Sequence, residues 1–357
     1  MLERRAFLKS SLATAGALSL PAGLALAAGL DPQNPDILFG TTGSIFGGWN
    51  INAQGRGTLQ MSQDMRMMLQ DCKHYGLEGF EPYSGQVAQY LDNVGALQAL
   101  AKETGITIAC IGDLPRRPNS PPLAEAGQYP WLGQNRGRLV SEMEAVARDL
   151  LQPLGVDHWK NNMGTRPPGG PTDDQLKGLA DTANEIGMRT KRHGVRLSLH
   201  PHTWGPMERE HEFRRVMELT DPNYVYLILD TGHNVLGGMD TVKIVDEYFA
   251  RITEFHLKDT FPQYRGNSAT PAQDAHYMKS VYASVGQGGG VDFPGIFEVA
   301  RKKRFKGWVV FDIDAPRPGD GTGTVDDNLA ASVNYLRQRL GIRLPEARGA
   351  NGLFKAG

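Results

Sequence analysis

The chain has 357 residues, of which 40% are hydrophobic, and its formal net charge at pH 7 is -1. This length is large for an ordinary domain but normal for one β/α-barrel with insertions, and the apolar content is enough for a large core. A charge so close to zero excludes the broad basic field that would attract nucleic acid or an anionic lipid surface. We therefore expect no nucleic-acid partner and no membrane partner for the mature domain.

The first 27 residues have the pattern of an export signal. The twin arginines Arg4 and Arg5 precede an Ala/Leu-rich segment that ends in the small-x-small pattern of Ala25 to Ala27. This arrangement predicts a cleaved twin-arginine signal over residues 1–27 and a periplasmic or secreted mature protein. A membrane anchor is the alternative, but the apolar segment is short and is interrupted by glycine and proline.

From residue 37 onward, strand-like apolar runs alternate strictly with helix-like runs. Alternation of this kind predicts a parallel sheet, and eight units are enough to close a barrel. We therefore predict an α/β protein with a single-domain (β/α)8 TIM barrel over residues 36–342 and a flexible tail over 343–357. The predicted strands are 37–41, 78–82, 106–111, 155–159, 195–200, 225–230, 252–257 and 307–312, and the predicted helices are 60–75, 85–104, 138–153, 173–193, 210–219, 240–250, 292–304 and 326–340.

Three predicted loops on the strand-to-helix side are long, at 42–59, 112–137 and 259–291. Loops of this length in a compact domain usually act as lids or binding loops. The two cysteines are expected to be free, although an oxidising compartment would permit a disulfide. Cys72 lies within a predicted helix and Cys110 within a predicted strand, which favours two separate buried thiols.

Four consecutive predicted strands end in histidine or aspartate. The end motifs are His200-Pro201-His202, Asp230-Thr231-Gly232-His233, His256-Leu257-Lys258-Asp259 and Asp312-Ile313-Asp314. The C-terminal strand ends of a β/α-barrel form one rim, and that rim holds the active site. Imidazole and carboxylate together suit a divalent ion, although a cap or a loop ion pair is the alternative for any one of these residues.

These motifs, together with Gly79-Phe80-Glu81 and the blocks at 286–293 and 307–314, resemble the xylose-isomerase-like β/α-barrels over about residues 37–340. This superfamily of sugar isomerases and epimerases includes inosose dehydratase. The resemblance implies one metal ion held by four side chains from strands five to eight, with manganese favoured over magnesium, zinc or cobalt.

The implied ligands are Asp230, His256, Asp312 and one group from strand five. Asp312 stands where the family usually has glutamate, and Asp314 is the alternative ligand from the same strand end. On strand five, His200 or His202 replaces the usual glutamate, and Glu208 downstream is a third candidate for the same position.

The resemblance also implies proton abstraction next to a carbonyl in a keto-sugar, cyclitol or 3-keto-glycoside, followed by β-elimination, epimerisation or isomerisation. The base would be whichever of His200 and His202 does not bind metal, with Lys160 as the second candidate. Lys258 would donate to a substrate oxygen, or would instead form an ion pair with Asp259 or Glu81. The candidate substrate-binding residues are Trp49, Glu81, Asn161, Trp204, His233 and Asp314.

The expected partner is a small carbohydrate without a phosphate group, because no glycine-rich phosphate cradle accompanies Arg116, Arg117 or Arg166. A homodimer is compatible with the family, but no segment indicates an interface. The first alternative function is a non-catalytic carbohydrate-binding or sensor barrel with a degenerate metal site. An abasic-site endonuclease on the same scaffold is disfavoured, because the acidic balance would not attract DNA.

Overall fold

The computed structural model describes residues 36–52, 57–125, 128–266, 270–316, 323–342 and 344. The predicted export signal and all but residue 344 of the predicted tail lie outside this part of the chain. No helix in the described ranges is both long and apolar enough to cross a bilayer. Cys72 and Cys110 are both buried and unpaired with each other, as expected.

Within the described residues, eight parallel strands form one curled sheet, so the predicted α/β barrel is confirmed. The sheet order is β3-β2-β1-β8-β7-β6-β5-β4, and Gly112 joins its two ends through parallel bridges to Tyr83 and Lys160. The strands are β1 Ile37–Thr42, β2 Gly79–Glu81, β3 Thr107–Ile108, β4 His158–Asn161, β5 Arg196–Leu199, β6 Val225–Asp230, β7 Ile252–Leu257 and β8 Gly307–Phe311.

In the part of the chain that the structure describes, eight helices of eight or more residues follow these strands and cover the outside of the sheet. Most begin at a side-chain cap, as at Asp64, Thr172 and Asp292, where the cap oxygen accepts a backbone N–H of the first turn. The helices are α1 Met65–His74, α2 Val94–Thr104, α3 Arg136–Val146, α4 Asp173–Lys191, α5 Glu210–Leu219, α6 Thr241–Tyr248, α7 Phe293–Lys302 and α8 Val325–Leu340.

The inside of the barrel changes from apolar to polar along the strands. Trp308 and Val310 of β8 form a small buried cluster with Ala109, and Asp312 follows them with the same alternation. Gly79 makes room for Trp308, since a Cβ on Gly79 would lie 2.3 Å from the indole ring. The tryptophan therefore fills one part of the interior, and the polar side chains gather at the C-terminal strand ends.

Several predicted element boundaries are wrong, among them the start of one strand and the extent of one helix. The fourth strand begins at His158 rather than at residue 155, because Gly155 takes a left-handed φ of 74° that ends the preceding helix. The helix predicted over 85–104 is two segments, Ser84–Val87 and α2, because Asn93 caps a new helix with its side chain. The first change matters for the site, since it places Lys160 and Asn161 inside β4.

The long loops fold over the C-terminal strand ends. The first forms an antiparallel pair, Gly48–Ile51 with Gly57–Gln60. The loop after β7 forms a second pair, Asp259–Thr260 with Tyr282–Ala283, and carries the short helix Gln273–Met278. The Trp204 indole donates to the carbonyl of Pro271 at 2.8 Å, which joins the segment after β5 to the loop after β7.

Candidate metal centre and active site

Four side chains from β5 to β8 meet at the C-terminal end of the barrel. His200, Asp230, His256 and Asp312 are buried, and each offers one ligand atom within 4.8 Å of the others. His256 Nδ1 lies 3.2 Å from Asp312 Oδ2, and His200 Nε2 lies 3.8 Å from Asp230 Oδ2. Ligand atoms around one divalent ion are spaced by about 3–4 Å, so this cluster has the dimensions of a metal site.

Several of the atoms that face the cluster have no hydrogen-bond partner. His200 Nε2, Asp230 Oδ2 and His233 Nε2 are buried and unpartnered in the described structure. Leaving such an atom unsatisfied costs about 1–3 kcal/mol, and a bound cation would compensate the lone pairs of His200 and Asp230. The donor set of two imidazoles and two carboxylates therefore fits a borderline or hard divalent ion.

The tautomer of His200 is set by two residues outside the cluster. Asn162 donates its amide nitrogen to Asp113 Oδ2 at 3.0 Å, so its oxygen faces His200. His200 Nδ1 donates to that oxygen at 2.7 Å, which leaves the lone pair of Nε2 for the cluster. Neither Asp113 nor Asn162 was predicted as a site residue, because both belong to loops whose course depends on the folded barrel.

His256 is oriented in a similar way by two carboxylates that contact its other ring nitrogen. Its Nε2 lies 2.8 Å from Glu81 and 2.8 Å from Glu254, so Nδ1 is the nitrogen that faces Asp312 and Asp230. Glu254 also accepts from His158 Nε2 at 2.8 Å. Glu254 was missed as a site residue. It lies two residues before His256 on a buried strand, and residues two apart on a strand point to the same face, so the sequence could have indicated it.

The two aspartates of the cluster have opposite pKa shifts. Burial raises the pKa of Asp230 to about 7, and the charge of nearby Asp312 contributes to the same direction. Burial also opposes ionisation of Asp312, but the cations Lys258 and His256 outweigh it and hold the pKa well below its usual value. Asp312 is therefore held in its ionised form. Asp230 needs a further nearby positive charge, such as a bound cation, to be fully ionised near pH 7.

A cavity of about 200 Å³ reaches the cluster at Asp312. Six predicted site residues line it, together with six that were not predicted: Ser44, Leu59, Met61, Tyr83, His276 and Tyr282. The predicted ones are His202, Trp204, His233, Lys258, Asp312 and Asp314. Lys258 pairs with Asp314 at 3.1 Å and lies 3.6 Å from Asp312, so the alternative pairing with Asp259 or Glu81 is wrong.

His202 and His233 stack on each other, with 3.8 Å between ring centroids, but bond differently. His202 Nδ1 donates to the Thr203 carbonyl at 2.5 Å. This hydrogen bond uses the Nδ1 proton, so Nε2 carries a lone pair. His233 Nδ1 accepts the backbone N–H of Thr203 at 3.3 Å and lies 2.7 Å from the Tyr282 hydroxyl. Its proton is therefore on Nε2, 3.9 Å from Asp230.

The other predicted residues lie apart from the cluster. Glu208 accepts the backbone N–H of Trp204 at 2.6 Å and lies 3.3 Å from the Arg209 guanidinium, and it is not among the four clustered side chains. The Trp49 indole donates to the Ala315 carbonyl at 2.9 Å. Asn161 accepts the backbone N–H of Met163 at 2.8 Å and lines a second, larger cavity.

Lys160 and Glu81 form a fully buried ion pair at 2.5 Å. Burial opposes a charge on the lysine, but Glu81 and Tyr83 outweigh burial and hold the pKa of Lys160 well above its usual value. The three arginines near the mouth are also paired: Arg166 with Glu212, Arg116 with Glu142 and Arg117 with Asp92.

The family described as a xylose isomerase-like TIM barrel matches residues 69–339. An inosose dehydratase of Clostridium botulinum (strain Alaska E43 / Type E3) is 31% identical over 139 residues, which are 38% of this chain and 46% of that protein. An inosose dehydratase of Mesomycoplasma hyopneumoniae (strain 7448) is 29% identical over 171 residues, 46% of this chain and 55% of that protein. The chain thus spans about half the length of these curated relatives.

Solved structures share the fold at low sequence identity. The IOLI protein with a bound zinc atom has a TM-score of 0.61 and 14% identity, over 85% of this chain and 98% of that chain. A 3-keto-D-glucoside 4-epimerase, YcjR, from E. coli has a TM-score of 0.57 and 16% identity, over 85% and 99%. These likenesses support the barrel architecture found above.

Proposed function

Because the chain belongs to the xylose isomerase-like TIM-barrel family, we propose that it is a metal-dependent enzyme acting on a keto-sugar, a cyclitol or a 3-keto-glycoside. It abstracts the proton next to the carbonyl, and the resulting enediolate either eliminates a β-substituent or is reprotonated to give an epimer or isomer. The observation that supports this proposal most directly is the buried cluster of His200, Asp230, His256 and Asp312.

Those four residues would hold one divalent ion, for which manganese is favoured. When bound, the ion supplies a Lewis acid that stabilises negative charge on the substrate carbonyl oxygen. The sugar-acting relatives support the same substrate class, since inosose dehydratases and a keto-glucoside epimerase are among them.

His202 is the proposed base. Its Nδ1 is engaged by the Thr203 carbonyl, so Nε2 is the nitrogen left to accept a proton. Burial lowers its pKa to about 4, which keeps the imidazole neutral near pH 7 but makes it a weaker base than an exposed histidine. Lys160 ranks behind it, because a lysine that is held charged by Glu81 has no lone pair with which to accept a proton.

Lys258 is the proposed donor to a substrate oxygen. Burial alone would lower its pKa, but Asp312, Asp314 and Asp230 outweigh burial and keep the ammonium charged. Its amine also lies 4.6 Å from the centre of the Tyr282 ring, which restricts where it points. A fixed cation at the wall of a small cavity stabilises the oxyanion that forms when the α-proton leaves.

The test is incubation of the manganese-loaded protein with 3-keto-glucosides, ketohexoses and inososes. Elimination gives a new absorbance or a released aglycone, whereas epimerisation gives a new sugar without either. We expect His202→Gln to lower kcat by about 100-fold or more, which is the usual contribution of general base catalysis. No turnover of any of these substrates by the metal-loaded protein would contradict the proposal.

A non-catalytic carbohydrate-binding barrel is the second candidate. It is favoured by the two ligand positions at which this chain has His200 and Asp312 instead of the glutamates usual in the family. Metal analysis and a sugar-binding assay on His256→Ala distinguish the two candidates. Purification without a stoichiometric divalent ion, with sugar binding that ignores this substitution, would favour the non-catalytic barrel.

A further inference from the structure

A second cavity of about 730 Å³ adjoins the small cavity that reaches the cluster. His202 and Trp204 line both cavities, so these two side chains stand where the chambers meet. Most of the surface of the larger chamber is apolar, although polar side chains such as Asn161, Thr165 and Gln273 also line it. The apolar side chains include Leu114, Leu123, Pro130, Trp131, Leu139 and Met163. Ligand clefts of roughly 300–1,000 Å³ hold molecules larger than one sugar, whereas the small cavity at 200 Å³ is below that range.

The wall of the larger cavity is built with backbone strain. Four non-glycine residues in the described part of the chain have a left-handed φ, and three of them line this cavity: Asp113 at 56°, Met163 at 57° and Trp204 at 65°. For a bulky side chain such as tryptophan this conformation is costly and uncommon. Strain of this kind concentrates at ligand sites, where the surrounding structure compensates for it.

The charged side chains that line the cavity are already engaged by the protein, Arg166 in an ion pair and Asp113 in hydrogen bonds. Arg166 donates two hydrogen bonds to Glu212, both at 2.6 Å. Asp113 accepts the backbone N–H of Asn162 at 2.9 Å and its amide at 3.0 Å, one on each oxygen. The walls therefore offer apolar surface without a free charge, which suits an uncharged occupant.

We infer that the substrate is a keto-glycoside whose aglycone is an uncharged, largely apolar group of aromatic size. This inference rests on the proposed function and narrows its substrate class. The sugar ring would occupy the small cavity beside the cluster, and the aglycone would occupy the larger one beyond His202 and Trp204. A free ketohexose or inosose would leave the larger chamber without a ligand.

The position of His202 at the junction is consistent with elimination from a 3-keto-glycoside. The proton on C2 passes to His202, and its bonding electrons form the enediolate. The C3 carbonyl then re-forms as the electrons make the C1=C2 double bond and the C1–O bond breaks. The leaving oxygen takes the proton back from His202 and departs as a neutral alcohol. No oxidant or reductant is needed, and the bond that breaks is the one that joins the occupants of the two chambers.

The test compares phenyl and methyl 3-keto-glucosides with the metal-loaded protein. Calorimetry should show that the phenyl glycoside binds at least about tenfold more tightly, because the phenyl ring buries apolar surface. In Thr165→Trp the added indole would enter the larger cavity, so the phenyl-to-methyl affinity ratio should fall toward one. Thr107→Trp is the matched control, since Thr107 is also exposed but lies on β3 and lines neither cavity.

Leu123→Trp places an indole in the same cavity from a different loop. The test therefore does not depend on one variant that could misfold. Equal affinities of the wild-type protein for the two glycosides, or a ratio unchanged in both cavity variants, would overturn the inference. Release of phenol and any epimer are followed in the same samples by chromatography. If the affinity difference responds to the variants but neither product forms, the cavity assignment stands and the proposed function fails.

Discussion

His200 presents Nε2 to the cluster because Asn162 holds its other nitrogen, and Asn162 is in turn held by Asp113. The sequence reveals the histidine, since it ends a strand-like run. It does not reveal the amide, because the contact joins the segment after β4 to the end of β5 and depends on how the two strands sit side by side. The outer partners of a metal site are therefore the part that sequence reasoning misses.

Asn162→Leu should weaken divalent-metal affinity by about 10- to 100-fold, the usual effect of losing an outer hydrogen bond to a metal-binding histidine. The physical reason is that His200 could then place its proton on either nitrogen. Competition with a chromophoric chelator measures the affinity directly, without an activity assay. Asn119→Leu, at an exposed position, is the control, and equal affinities for the two variants would contradict the assigned role.

The Glu81–Lys160 pair gives a second prediction for single residues. Both groups are buried, so removal of Lys160 leaves the Glu81 carboxylate in the barrel interior with His256 as its remaining ion-pair partner. Lys160→Met should lower the free energy of unfolding by about 3–5 kcal/mol. Adding Glu81→Gln should recover part of that loss, and urea unfolding of the two single variants and the double variant measures the coupling. Strictly additive effects would show that the ion pair is not the reason.

At the scale of elements, the strand ends were predictable and the loops were not. β6, β7 and β8 occur almost where the apolar runs placed them, because buried parallel strands have few alternatives. Tyr282 and His276 reach the site only because the loop after β7 returns as an antiparallel pair and a short helix. No local periodicity in a sequence encodes such a return.

Asp259 holds that returning loop in place. Its oxygens accept the backbone N–H groups of Gly288, Gly289 and Val291 at 2.9 to 3.1 Å. Asp259→Ala would leave these donors unsatisfied, so we expect faster hydrogen exchange over residues 282–291 and weaker substrate binding.

Asp292→Ala is the control for this prediction, because it removes only the N-cap of α7 and should cost about 1 kcal/mol. Exchange mass spectrometry of the two variants separates a loop effect from general destabilisation. Identical exchange patterns over 282–291 in both would argue against the anchoring role of Asp259.

On the scale of the whole molecule, the barrel follows from the alternation of strands and helices along the chain. Gly112 closes it through its bridges to Tyr83 and Lys160. What alternation does not predict is how the space above the rim is divided. The larger cavity takes its walls from segments after β3, β4 and β5, including Leu123, Met163 and Trp204. Its volume depends on side chains from loops that meet only in the folded protein.

The four clustered side chains lie at the C-terminal ends of four consecutive strands. A bound ion would therefore link the ends of half of the barrel strands to one another. A ligand that binds only the folded state stabilises it, by about 2.7 kcal/mol at a free concentration 100 times its Kd. Chelation should therefore lower Tm, and restoring manganese, zinc or cobalt should raise it by amounts that rank their affinities. His256→Ala removes one of the four ligands, so its Tm should respond much less to chelation or added metal. A wild-type Tm that ignores both treatments would contradict the metal site, because the unpartnered atoms of His200 and Asp230 would then gain nothing from a cation.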